Sequence, residues 1–255
     1  MTATPAGMTY ADYLKLDQLL SAQQPLSDLH DEMLFIVIHQ TKELWMKEML
    51  HELELAIRLL GEDRFAEAYK AMARISRIQA VMTLSWDVLS TLTPVDYLKF
   101  RDVLGTSSGF QSEQFREIEF RLGLKDPAYI AHYAEGTAER SRLQAALGEP
   151  SLRDRATAAL ERAGFDLGDR SVEALAAAWL KVYRDADRWF ELYELAEKLV
   201  DIDDALAGWR HKHVLTVERI IGGKVGTGGS PGASYLRSTL DKRVFPELWA
   251  LRTDL

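Results

Sequence analysis

Apolar residues recur every three or four positions over most of this chain, and no run of them alternates as a half-buried strand would. That period gathers them on one side of an α-helix. From about Asp31 to Leu60 the positions Leu34, Ile38, Leu44, Trp45, Met49, Leu53 and Ile57 form a wide stripe, and Gly61 offers a stop. A second helix is predicted from Arg64 to Thr91, with Ala68, Ala71, Ile75, Ile78, Met82 and Trp86 facing inward. Pro94 opens a shorter one, since proline suits the first helical turn. Gly105 to Phe110 reads as a loop feeding a helix over 111–122. Residues 123–150, broken by Gly123, Pro127, Gly136, Gly148 and Pro150, read as a connection with short helical pieces. Helices are predicted again over 151–164, 171–199 and 201–221, then a glycine-rich loop from Gly222 to Gly232, then a last helix from Ala233 to Lys242. The expected fold is all-α: one domain over 1–255, built as a bundle of long antiparallel helices.

Composition narrows the function. The 255 residues suffice for a real core, and a net charge of −8 disfavours nucleic acid and anionic membranes as partners. Cysteine is absent, which removes disulfides, thiolate nucleophiles, Cys-ligated zinc and iron–sulfur clusters. The N-terminus lacks the basic and apolar regions of a secretory signal, and the apolar run Met33 to Ile38 is far too short to span a bilayer. A cytoplasmic protein is expected.

Six histidines then carry most of the candidate chemistry. His39 ends an apolar helical run, with Phe35 one turn earlier on the same face. It suits either a flat heteroaromatic ligand or a core histidine bonded to a backbone carbonyl. His211 and His213 lie two apart on a predicted helix, so they point to opposite sides and only one faces inward. The apolar residues after His213 favour it as the inward one, where it could serve as an axial iron ligand. Glu48-Met-Leu-His51 has di-iron spacing, but no other histidine has a glutamate three residues earlier, so a solvated face is expected. Tyr97 and Arg101 share a face, and an arginine fork suits a carboxylate. The glycine-rich loop follows a helix and lacks the Gly-Lys-Ser/Thr ending of a phosphate cradle; it reads as a mobile cover, with Thr227 offering a hydroxyl.

Several longer strings share one resemblance. His30-Asp-Glu-Met-Leu-Phe-Ile-Val-Ile-His39-Gln with Glu43-Leu-Trp, Phe100-Arg-Asp-Val-Leu-Gly with Ser108-Gly-Phe-Gln-Ser112, and His213-Val-Leu-Thr-Val-Glu-Arg-Ile-Ile-Gly with Gly226-Thr-Gly-Gly and Phe245-Pro-Glu-Leu-Trp resemble, in order, the signatures of tryptophan 2,3-dioxygenases. The likeness spans Thr9 to about Thr253 and is weakest over 123–200. It implies a haem b enzyme that uses O₂ to cleave the indole C2–C3 bond of L-tryptophan, giving N-formyl-L-kynurenine. By the same resemblance, His213 ligates the haem iron, Trp86 lines the haem cavity, and Ser108 and Gly109 border the oxygen pocket. His39 accepts the indole N–H and Phe35 packs on the ring. Arg101, helped by Tyr97, takes the carboxylate, and Thr227 binds the amino-acid end. The family implies a homotetramer, a dimer of dimers, in which segment 1–30 packs on a neighbour and Tyr10 and Tyr13 reach into its pocket. Two other activities fit the same strings: a haem monooxygenase of C-alkylated tryptophan, and a non-catalytic haem or indole sensor.

Overall fold

The computed structural model describes residues 7–255, and among them there is no strand. Two one-turn helices, α1 (Tyr10–Leu14) and α2 (Leu16–Leu20), meet at Lys15, whose φ of 53° bends the chain sharply between them. Then come α3 (His30–Gly61), α4 (Phe65–Leu89), α5 (Pro94–Phe100), α6 (Glu113–Leu122), α7 (Ala138–Gly148), α8 (Leu152–Arg162), α9 (Val172–Arg184), α10 (Phe190–Ile221), α11 (Ala233–Arg237) and α12 (Pro246–Ala250).

The core is built around α4, which packs against both α3 and α10. A three-residue turn separates α3 from α4 and makes them antiparallel, with Lys42 meeting Trp86 at one end and Glu52 meeting Arg74 further along. The pairing of α4 with α10 departs from the antiparallel expectation. Tyr69 donates to the Glu191 carbonyl, Gln79 to the Ile202 carbonyl, and Trp86 stacks on His213, so the two helices run parallel. The hundred-residue excursion through α5 to α9 permits this. One end of the bundle therefore gathers the start of α3, the ends of α4 and α10, and the short α5.

Details of the elements also differ from the sequence pattern. Ile38, Lys42, Met46, Met49 and Leu53 form the inner stripe of α3, whereas Leu44 and Trp45 face outward. The buried face also takes in Glu32 and Glu52, which are hydrogen-bonded or ion-paired, whereas Lys42 occupies a core register without such a partner among the described residues. The predicted stripe of α4 is buried throughout. No break occurs near residue 200: Leu195, Leu199, Ile202 and Leu206 carry one continuous face through α10. The real break is at 185–189, in a charged segment without glycine or proline. Within 123–150 the chain forms a 3-10 turn (Pro127–His132) and the eleven-residue α7, which close a small second core of Phe120, Ile130, Leu143 and Ala146. The last predicted helix stops at Arg237. Beyond it Ser238 and Thr239 turn their hydroxyls back to the Tyr235 and Leu236 carbonyls at 2.7 Å, which competes with helical continuation.

The C-terminal segment is fastened to α10 by buried polar groups. The Asp203 carboxylate accepts from the backbone N–H groups of Val244 and Phe245 at 3.1 Å and from Trp249 Nε1 at 2.9 Å. Arg210 donates to the Lys242 carbonyl at 2.6 Å and to Glu119 on α6 at 2.7 Å. Removing Asp203 would leave three buried donors without acceptors, each costing about 1–3 kcal/mol. Asp203→Ala is expected to cost roughly 3–5 kcal/mol and to lower the melting temperature by about 10 °C. Thermal denaturation followed by circular dichroism checks this; a shift of under about 3 °C would show that the clasp is not a stability element.

Candidate active site

Helix periodicity brings His39 and Lys42 to the inner side of α3, one turn apart, and the end of α4 presents Trp86 to Lys42. From α10 the His213 ring lies flat on Trp86, with centroids 4.3 Å apart and planes 13° from parallel. Trp209, one turn earlier, closes the other side at 5.2 Å from His213 and stacks on Phe115 of α6 at 4.8 Å. His211 is exposed, so the inward histidine of the pair is His213. His51 is exposed too, and among the described residues no cluster of three metal-ligating side chains exists.

Both inward imidazoles are neutral. Burial, with the Lys42 ammonium and His39 adding to it, pushes His213 down to about 3. Burial, with Lys42 again, pushes His39 down to about 4, although a bond to the Phe35 carbonyl opposes this. That bond fixes the tautomer. His39 Nδ1 lies 2.7 Å from the carbonyl oxygen, which can only accept, so Nδ1 carries the proton. His39 Nε2 is left as a bare acceptor. Both alternatives open for His39 thus hold together: it is satisfied by a carbonyl through one nitrogen and still offers the other.

An aromatic floor adjoins His39. Phe35 lies 4.2 Å from the His39 ring, 5.9 Å from Tyr97 and 5.8 Å from Phe100, and Tyr97 meets Phe100 edge to face at 5.5 Å. Tyr97 is buried, and burial raises its phenol despite the nearby Arg101 guanidinium. Arg101 stands where α5 gives way to a 3-10 turn, rather than on a continuing helix face.

The glycine-rich loop is drawn down onto this end. Arg101 donates to the Val225 carbonyl, and the Thr227 hydroxyl donates to the Ser107 carbonyl. Gly228 comes so close to Ser108 that a β-carbon there would sit 2.6 Å from the serine Cβ, so only glycine permits the contact. Gly232, at φ 64°, turns the chain beside the Lys224 carbonyl, which a β-carbon would approach to 2.5 Å. Ser108 caps a short 3-10 turn through a capping box with Gln111, and Gly109 is exposed beside it. The structure therefore sets Ser108 under the loop; no contact ties Ser108 or Gly109 to His213. Tyr10 and Tyr13 on α1 are 76% and 74% exposed.

Sequence reading missed Lys42, Trp209 and Phe115. A lysine on the apolar register of α3 and an aromatic four residues before His213 were the available signals.

A neutral imidazole walled by flat aromatic rings, with a second neutral imidazole on a neighbouring helix of the bundle, suits the binding of a planar, metal-bearing ligand. The profile of the family described as tryptophan 2,3-dioxygenase matches residues 1–168 and 166–255. A tryptophan 2,3-dioxygenase of Caulobacter vibrioides is 61% identical, over 97% of this chain and 98% of its own. One of Bacillus cereus is 53% identical, over 97% and 93%, and one of Shewanella woodyi 51%, over 97% and 91%. The chain belongs to the tryptophan 2,3-dioxygenase family.

Proposed function

We infer that this chain is a haem-dependent dioxygenase that cleaves the indole C2–C3 bond of L-tryptophan with O₂ and yields N-formyl-L-kynurenine. The observation that carries the reading is the presence, at one end of the bundle, of two half-buried neutral imidazoles, His213 and His39, together with an arginine and a glycine-rich loop. Haem fits the residues present. His213 has the protonation state an iron ligand needs, Trp86 and Trp209 offer flat walls, and the buried Nε1 atoms of both tryptophans and Nζ of Lys42 lack partners among the described residues. Haem b, when bound, supplies the activation of O₂ and the delivery of both oxygen atoms to the ring.

The chain's own residues hold and orient the substrate. His39 Nε2 accepts the indole N–H while Phe35 lies against the ring. Arg101 exchanges the Val225 carbonyl for the substrate carboxylate, a stronger, charge-assisted partner. Tyr97 packs beside the guanidinium, and Thr227 moves its hydroxyl from the Ser107 carbonyl to the amino-acid end. Loop closure then excludes water and strengthens these contacts. Trp86 and, under the loop, Ser108 and Gly109 complete the cofactor and oxygen side.

His39 acts as an acceptor rather than a general base, because an imidazole whose conjugate acid titrates near 4 is a poor base for so weak an acid as indole N–H. His39→Ala is expected to lower kcat/KM for tryptophan about 10- to 100-fold, the cost of one unpaired buried donor. The effect on 1-methyltryptophan, which lacks the N–H, is expected to be far smaller. With its titration pushed down, His39 stays neutral above about pH 4, so it imposes no acid limb on kcat/KM between about pH 5 and 8. Equal losses on both substrates would remove the acceptor role.

The assembly is a homotetramer, a dimer of dimers, in the cytoplasm. Outward apolar positions support it: Met33, Val37 and Leu44 on α3, and Val81, Leu84 and Val88 on α4, are exposed in one chain. Residues 1–255 act as one haem domain whose first thirty residues pack on a neighbour, Tyr10 and Tyr13 reaching its pocket. Residues 1–6 lie outside the described part. No described helix is long and apolar enough to cross a membrane.

The deciding experiment loads the protein with haem, reduces it without air, and adds O₂ and L-tryptophan. A product heavier than tryptophan by two oxygen atoms is expected. A one-oxygen product made from a C-alkylated tryptophan would replace this reading with the monooxygenase, and a haem-replete protein without turnover would replace it with the sensor.

A further inference from the structure

Lys42 is the buried ionisable group that the reaction leaves unused. It is 5% exposed, it occupies the core register of α3, and its Nζ has no hydrogen-bond partner among the described residues. The ammonium sits 2.9 Å above the centre of the Trp86 ring, and Trp86 in turn stacks on His213. A cation–π contact offsets only part of the cost of taking an ammonium out of water.

No acidic side chain of the surrounding helices answers this charge. On α3, Glu43 receives the Gln114 amide at 2.8 Å. On α4, Asp87 pairs with Lys212 of α10 at 2.5 Å. The other titratable groups facing Lys42 are His39 and His213, both neutral. Burial alone accounts for the depression of the lysine to about 6, with no carboxylate opposing it. The haem-free chain thus buries an amine, without a partner among the described residues, against the wall that adjoins the iron ligand, and burial alone holds it largely unprotonated near neutral pH. The substrate carboxylate is not the missing partner, because Arg101 and Thr227 take that group under the loop. What remains are the two propionate carboxylates that haem would bring in.

We propose that Lys42 ion-pairs a propionate carboxylate of haem, taking up a proton as it does so, and that a buried amine without a partner in the haem-free chain thereby becomes part of the cofactor's grip. This rests on the haem reading, and it adds a positioning residue that a lone lysine in a helical stripe does not announce.

The test compares haem with its dimethyl ester, in which both carboxylates are capped. Each is titrated into the haem-free full-length protein and followed by the Soret band and by quenching of tryptophan fluorescence. The wild type is expected to bind haem about 10- to 100-fold more tightly than the diester, the worth of one charge-assisted contact. Lys42→Met, close in length and apolar, is expected to lose most of that preference while binding the diester as well as the wild type does. Lys42→Arg, which keeps the cation, is expected to retain it. Haem-free Lys42→Met is expected to melt above the haem-free wild type, since it removes a buried polar group that has no partner. An unchanged preference in Lys42→Met, or no preference in the wild type, would overturn the proposal while leaving the haem reading intact. A wild type that takes up neither porphyrin would overturn both.

Discussion

His213→Ala is expected to emerge without a Soret band after desalting and to show no tryptophan turnover. Three features of the site set this outcome. The imidazole is neutral because burial pushes it down to about 3, so its lone pair is available at any pH at which the protein would be assayed. No cysteine exists to substitute as a ligand. The other inward histidine, His39, has one nitrogen committed to the Phe35 carbonyl and stands on a different helix beside the substrate floor. Alanine removes the ring that stacks on Trp86 and leaves a gap, which costs about 2 kcal/mol. That is small against the stability expected of a chain of this size, so far-UV circular dichroism should be unchanged and the effect specific to the cofactor. Added imidazole should enter the gap and restore part of the Soret band. Full haem content in the variant would remove His213 from the ligand role and with it the foundation of the site.

The sequence carried the helical class and the long helices because amphipathic period survives single exceptions: the stripe of α4 is buried as read, residue by residue. It misplaced the inner face of α3 for a physical reason. Hydrophobicity ranks Leu44 and Trp45 above Lys42, yet the helix angle places Lys42 with Ile38 and Met46, and angle wins over polarity when the surrounding helices close on that face. The break after α9 was invisible because it uses neither glycine nor proline. Parallel packing of α4 and α10 was equally hidden, since a period says which side is buried but not which way the partner runs. At the site, apolar context was enough to turn His39, His213 and Phe35 inward, but their proposed roles came from the motif resemblance. Arg101 was legible only through motif order, because its meaning depends on a loop more than a hundred residues away.

That loop gives the second large effect its form. Arg101→Met is expected to lower kcat/KM for L-tryptophan by roughly 10²–10³-fold, with haem content unchanged. The size follows from losing two parallel charge-assisted bonds to a carboxylate, about 3–4 kcal/mol together. The same substitution frees the Val225 carbonyl and loosens the glycine-rich cover, so a fall in rate alone would not separate binding from loop closure. Tryptamine separates them, since it has the indole and the ammonium but no carboxylate. In the wild type, tryptamine should be the far poorer substrate; in Arg101→Met the two should approach equality, because the variant has lost the group that tells them apart. Loop loosening would depress both substrates and leave their ratio unchanged. Arg101→Lys should recover only part of the preference, because an ammonium presents a point charge where the guanidinium presents a fork. A variant that kept the wild-type ratio of tryptophan to tryptamine would show that the arginine serves the loop and not the carboxylate, and the substrate's acid group would then need another partner at this end of the bundle.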